Sequence, residues 1–170
     1  MEPKIIDRNQ LIIAGMVYYG NPFHAADASP DQNEVGKLWG CFNTYYEKNT
    51  ERFTGEVNPK MAWELHITTD EYEETKEYYV MVGVEVSEIA DLPLPIFAKV
   101  LPAGSYAVFT LRGEEMVKDW GKAIYKEWLP ASEYEEALQI TLEKYDEDRF
   151  RGWGEPDSEV EIWVPVKAKE

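Results

Sequence analysis

The chain is poor in the residues that several large function classes require. Cys41 is its single cysteine, so no disulfide can form within it, and a reducing cytoplasm is the simplest setting. Its histidines are His24 and His66; together with Cys41 they cannot supply the four nitrogen and sulfur ligands of a structural zinc site. No metal and no cofactor are expected. Positive charge is scarce as well: 17 Lys and Arg face 33 Asp and Glu, for a formal net charge of −16. A surface that acidic repels phosphate backbones and anionic lipid headgroups and concentrates cations. Direct nucleic-acid binding is therefore not expected. No apolar run approaches the ~18 residues of a membrane span. The start, Met1 to Ile6, lacks the charged-then-apolar pattern of a leader. Gly15 and Gly20 are not followed by the Gly-Lys-Ser/Thr of a phosphate loop. The acidic run Glu71 to Glu77 lacks the alternating ligands and the glycine of a calcium loop.

What is present suits a packed protein. The chain has 170 residues and is 44% hydrophobic, which fits one domain of ordinary size. Residues 4–19 read as a strand with a break, punctuated by Gly15 and Gly20, followed by a loop through Pro22 to Ser29. Ser29-Pro30-Asp31-Gln32 reads as a helix start, with Ser29 as cap and Gln32 closing a capping box. Val35, Leu38, Trp39, Phe42, Tyr45 and Tyr46 keep helical spacing to about Thr50. Residues 61–68 and 78–86 alternate as strands do, around a solvated acidic hairpin loop. Leu92-Pro93-Leu94-Pro95 reads as a linker.

The order then recurs. Residues 97–111 are extended, with a break at Pro102-Ala103-Gly104. Met116, Val117, Trp120, Ile124 and Trp128 form a helical stripe ending at Pro130. Strands are read at 140–145 and 160–167, joined by a polar loop from Asp146 to Ser158. The expected fold is α+β: a duplicated strand–helix–strand–strand module forming an antiparallel sheet with two helices on one face. Residues 1–170 are expected to form a single domain, with module one at about 1–90 and module two at about 95–170.

Strand parity assigns faces, because alternate side chains point to opposite sides. Val160 to Val166, Tyr78 to Val86, Met61 to Ile67 and Ile140 to Leu142 each carry an apolar set in one parity, and these sets are expected under the helices. The other parity carries Glu64 and His66; Tyr79, Met81 and Glu85; Glu143 and Tyr145; Glu161 and Trp163. Rings, methionine and embedded carboxylates suit a flat hydrophobic cation. An ordinary amphipathic strand with a solvated acidic face is the alternative. Glu85 and Glu161 lie nearest strand ends and are expected in solvent. Glu64 and Glu143 lie mid-strand, each in the first strand after its module's helix, and are expected to be enclosed and equivalent. Cys41 is expected to be a buried thiol.

Three blocks resemble a known family. They are Tyr125-Lys-Glu-Trp128-Leu129-Pro130-Ala-Ser-Glu-Tyr134-Glu, then Leu142-Glu143-Lys-Tyr145-Asp146-Glu-Asp-Arg149-Phe150, then Pro156-Asp157-Ser158-Glu159-Val-Glu161-Ile162-Trp163-Val164-Pro165-Val166-Lys167. A helix ending in Trp-Leu-Pro, a strand with a central Glu and a final Ile-x-Val-Pro-x-Lys strand resemble the gyrase-inhibitor-like effector-binding domains. The likeness is strong over roughly the last 45 residues. It implies a groove between the modules that binds amphipathic, often cationic, molecules, with Glu143 as counter-charge. It also implies that such domains occur fused to helix-turn-helix regions or alone. The sequence is read as opening directly on the first strand of the ligand domain, so a stand-alone cytoplasmic binder without a helix-turn-helix is expected, with a protein partner or a homodimer left open. The ligand set is Glu143, Glu64, Tyr145, Tyr79, Trp163, Met81 and His66. Some relatives are implied to hydrolyse cyclopropane-bearing toxins; in that case Glu143 and Tyr145 would carry the chemistry. Binding is favoured, since no dedicated nucleophile is visible.

Overall fold

The computed structural model describes residues 1–23 and 33–169. Its strands are β1 (Lys4–Arg8), β2 (Leu11–Gly20), β3 (Met61–Ile67), β4 (Tyr78–Glu85), β5 (Phe97–Leu101), β6 (Gly104–Arg112), β7 (Tyr134–Glu136), β8 (Ile140–Asp146) and β9 (Glu159–Ala168). Helix α1 spans Glu34–Lys48. Helix α2 covers residues 120–131, and its middle, Ala123–Trp128, is π-wound. No helix among the described residues is long and apolar enough to cross a membrane.

The chain divides into two compact units, Leu11–Leu101 and Met1–Gln10 with Pro102–Glu170. These are not simply its two halves. In the unit of α1 the strand order is β5-β2-β4-β3, and in the unit of α2 it is β1-β6-β9-β8, with β7 on β9. Every pairing within these sets is antiparallel. Each unit therefore repeats strand–helix–strand–strand, as β2-α1-β3-β4 and β6-α2-β8-β9. Each also gains an outer strand beyond that repeat: β5, which follows β4, lies beside β2, and β1, from the start of the chain, lies beside β6. The α+β class and the duplicated module agree with the sequence.

Several local readings shift. The first strand breaks at Asn9-Gln10, and Gly15 sits inside β2 opposite Gly83. A Cβ on Gly15 would lie 1.9 Å from the Val82 carbonyl oxygen, so this crossing excludes a side chain. The helix start at Ser29 to Gln32, like His24, falls outside the described residues. The described helix opens at Glu34, where the Asn33 side chain accepts from the Gly36 N–H at 2.9 Å. The acidic hairpin loop contains a helical turn, Tyr72–Thr75. Met116 and Val117 belong to a tighter turn before α2, whose N–H of Lys122 is capped by Asp119. β7 was not legible in the sequence. Cys41 is exposed rather than buried, because it follows the outer flank of α1.

Each helix covers an apolar sheet face. Phe42 of α1 packs with Phe53, Val82, Val84 and Val86; Ile124 of α2 packs with Phe109, Leu111, Ile162 and Val164. Full burial of such a side chain stabilises by about 1.5–3 kcal/mol. The valine rows of β4 and β9 therefore lie where parity placed them.

The rows of β3 and β8 do not. Residues directly opposite in an antiparallel pair share a face. Glu64 faces Val82 and His66 faces Val80, so both acid and imidazole lie under α1. Trp63 and Leu65 face Gly83 and Met81 and lie on the far side. Likewise Glu143 faces Ile162 under α2, whereas Leu142 and Lys144 face Trp163 and Glu161 on the far side. The expectation failed because the far face is apolar too: Trp63, Leu65, Met81 and Leu142 are all buried. Hydrophobicity alone cannot tell which side of a strand buried on both faces lies under the helix.

Candidate functional site

Glu143 is the fourth residue of β8 and only 5% exposed. A buried carboxylate is costly unless hydrogen bonds or charges compensate it. Tyr145, two residues on and on the same face, donates its hydroxyl to Glu143 Oε2 at 2.5 Å. The Tyr145 ring meets Phe150 edge-on at 4.9 Å and Trp153 at 6.4 Å. Thr141, two residues earlier, hydrogen-bonds the hydroxyl of Tyr125 on α2. Burial, with the Glu136 charge adding to it and the Thr141 bond opposing, pushes the Tyr125 hydroxyl up to about 12. One row under α2 thus reads Thr141, Glu143, Tyr145.

The unit of α1 carries a parallel arrangement. Glu64 is the fourth residue of β3 and again 5% exposed. Trp39 of α1 donates its indole N–H to Glu64 Oε2 at 2.6 Å. His66 Nε2 lies 2.7 Å from Glu64 Oε1. The His66 ring is 5.6 Å from that of Tyr78.

The remaining expected ligands lie elsewhere. Met81 is buried on the far face of its sheet, and Tyr79, on the same face, packs at 4.7 Å against Tyr19 and is 41% exposed. Trp163 also lies on the far face, 5.6 Å from Tyr106, and donates to Glu161 at 3.0 Å. Parity thus split the seven residues: Glu143 and Tyr145 share a face, Glu64 and His66 share a face, and Tyr79, Met81 and Trp163 point away from both helices. Glu161 is ion-paired to Lys144 at 3.2 Å rather than simply solvated. Trp39, which packs on the α1 core and meets Glu64, and Phe150 and Trp153, which border Tyr145, were not among the expected ligands. Trp39 sat in a helical stripe read as core, and the two loop aromatics sat in a stretch read as polar.

Residues 4–166 match the family described as Cass2, integron-associated effector binding protein. The chain belongs to this family. The match runs across both units, which bears out the effector-binding resemblance of the C-terminal blocks. The chain is 26% identical over 167 residues to the transcriptional regulator BrlR of Pseudomonas aeruginosa, covering 98% of this chain and 56% of BrlR. It therefore spans about half the length of that relative. Among solved structures it is similar to SAV2435 bound to tetraphenylphosphonium, with a TM-score of 0.67, 17% identity and coverage of 98% and 94% of the two chains. It is also similar to the C-terminal domain of EcmrR, with a TM-score of 0.65, 15% identity and coverage of 99% and 98%. At such identities the likeness is one of fold.

Proposed function

We propose that residues 1–170 act as one effector-binding domain for amphipathic, cationic, drug-like small molecules. Glu143 supplies the counter-charge, Tyr145 holds and partners it, and Glu64 with His66 forms a second, carboxylate–imidazole pair. The observation that carries this reading is the Glu143 carboxylate, 5% exposed and held by the Tyr145 hydroxyl, whose ring in turn meets Phe150 and Trp153. An incoming hydrophobic cation offsets the cost of burying that charge, and rings add cation–π attraction. The net charge of −16 draws cations toward the protein. SAV2435, bound to tetraphenylphosphonium, supports the ligand class.

The test is a calorimetric titration of tetraphenylphosphonium and of neutral triphenylphosphine oxide against wild type and Glu143→Gln. Removing one member of a buried charge pair costs about 2–5 kcal/mol, so cation affinity should fall at least ~30-fold. The neutral compound should change by less than about threefold. Equal losses for both would refute the counter-charge role.

The Tyr145–Glu143 hydrogen bond also suits hydrolysis, with Glu143 as general acid or base and Tyr145 assisting. Product from a cyclopropane-bearing substrate beyond one equivalent per chain would select that reading; stoichiometric binding without product would reject it.

A further inference from the structure

The loop between β8 and β9 is fixed at its base and turned at its tip. Arg151 donates to the carbonyls of Glu147 and Asp148 at 2.7 and 2.6 Å. Its backbone N–H donates to the Ser158 hydroxyl at 2.9 Å, and Ser158 is fully buried. Arg149 pairs with Glu159 at 3.1 Å. The tip between these clamps reads Gly152-Trp153-Gly154. Both glycines adopt positive φ, 121° and 77°, a backbone that other residues take only under strain.

That double turn sets the Trp153 indole against Phe150 at 6.2 Å and Tyr145 at 6.4 Å. Phe150 packs onto the α2 core, so it is the anchoring ring. Trp153 is the outer ring and stays 39% exposed, whereas Trp63 and Trp163 are 1% and 4% exposed. A large aromatic left this wet on a loop this well pinned is not filling a core. In its loop the four acids Glu147, Asp148, Glu155 and Asp157 outnumber the two arginines Arg149 and Arg151, which favours a cation over an anion beside it.

We propose that Trp153 is a ligand-contact and specificity-determining residue, an indole held by two glycines to stack on the hydrophobic cation that Glu143 attracts. This inference rests on the counter-charge reading of Glu143. Trp153 reads the aromatic bulk of the guest, while Glu143 reads its charge. Phe150 and Tyr145 keep the indole from folding away into solvent.

Intrinsic fluorescence of the unmodified chain gives the first test, with tetraphenylphosphonium and rhodamine 6G as probes. Saturation with tetraphenylphosphonium should blue-shift the emission and shield one tryptophan from acrylamide. Unchanged acrylamide quenching at saturation would overturn the proposal without any substitution. Trp153→Ala should weaken both cations about tenfold. Trp153→Phe should keep affinity within about threefold and abolish the emission change. Binding by Trp153→Ala within about twofold of wild type, while Glu143→Gln still loses the cation, would overturn the role of Trp153 and leave the counter-charge reading standing. Failure of wild type to bind either cation would remove both.

Discussion

The two units carry the same acid in the same place and partner it differently. Glu64 and Glu143 are each the fourth residue of the strand after the helix, each 5% exposed, and each is met by the side chain two residues on. In one unit that side chain is His66, with Trp39 adding an indole N–H; in the other it is Tyr145. An imidazole can carry a proton and so neutralise its carboxylate from within. A phenol donates a hydrogen bond but brings no positive charge. The duplication thus preserves position and reach, and the donor chemistry sets the two acids apart. Glu64 is met by a side chain that can carry a positive charge, and Glu143 by one that cannot.

The helices extend the comparison. The single fully buried side chain of α1 is Phe42, ringed by Tyr46 at 5.7 Å and Phe53 at 6.2 Å. On the described α2 that position is held by Ile124. Truncation should cost about 3–5 kcal/mol for Phe42→Ala and about 2–5 kcal/mol for Ile124→Ala. Urea unfolding of the two variants measures both. A smaller cost at Phe42 than at Ile124 would break the picture in which the buried ring of α1 contributes more than the buried aliphatic side chain of α2.

A smaller effect separates the helix tyrosines. Tyr46 of α1 donates to both oxygens of Glu56 at 2.8 and 2.7 Å, and burial first, then Glu56, raises its hydroxyl. Tyr125 of α2, raised from 10.0 to about 12, is the more buried of the two. The folded chain keeps the Tyr125 proton where the unfolded chain has lost it. Its contribution is complete below pH 10 and is lost as pH rises toward about 12. Over that window the loss approaches about 3 kcal/mol. Urea midpoints across the range should fall in wild type and fall less steeply in Tyr125→Phe, where the raised Tyr46 hydroxyl still contributes. A decline unchanged in Tyr125→Phe would assign it to the unit of α1 instead.

Much of this was legible in the sequence. The valine rows of β4 and β9 have one apolar and one mixed parity, so their helix faces follow directly. The equivalence of Glu64 and Glu143 follows from element order. The faces of β3 and β8 were not legible, because Trp63 and Leu65, and Ile140 and Leu142, are buried on the side away from the helices. Only register, a long-range property, decides that question. Trp39 and Trp153 escaped notice for a related reason. A tryptophan in a helical stripe reads as packing, and its N–H finds Glu64 only through the fold. The Gly-Trp-Gly tip was the one visible sign at Trp153, since two flanking glycines mark a turned backbone.

The smallest expected effect is the sharpest test of the two acids. Glu64→Gln keeps an amide oxygen to accept the Trp39 N–H, and its amide nitrogen can donate to a neutral His66, so the fold should hold. Glu143→Gln likewise keeps an acceptor for the Tyr145 hydroxyl. Both variants therefore remove the charge and keep these acceptors. If His66 balances Glu64 internally, removing that charge should change tetraphenylphosphonium affinity by less than about fivefold, under about 1 kcal/mol. The same titration on Glu143→Gln should lose far more. Matching losses would mean that the two acids act alike on the guest, and that the exchange of His66 for Tyr145 does not divide their roles.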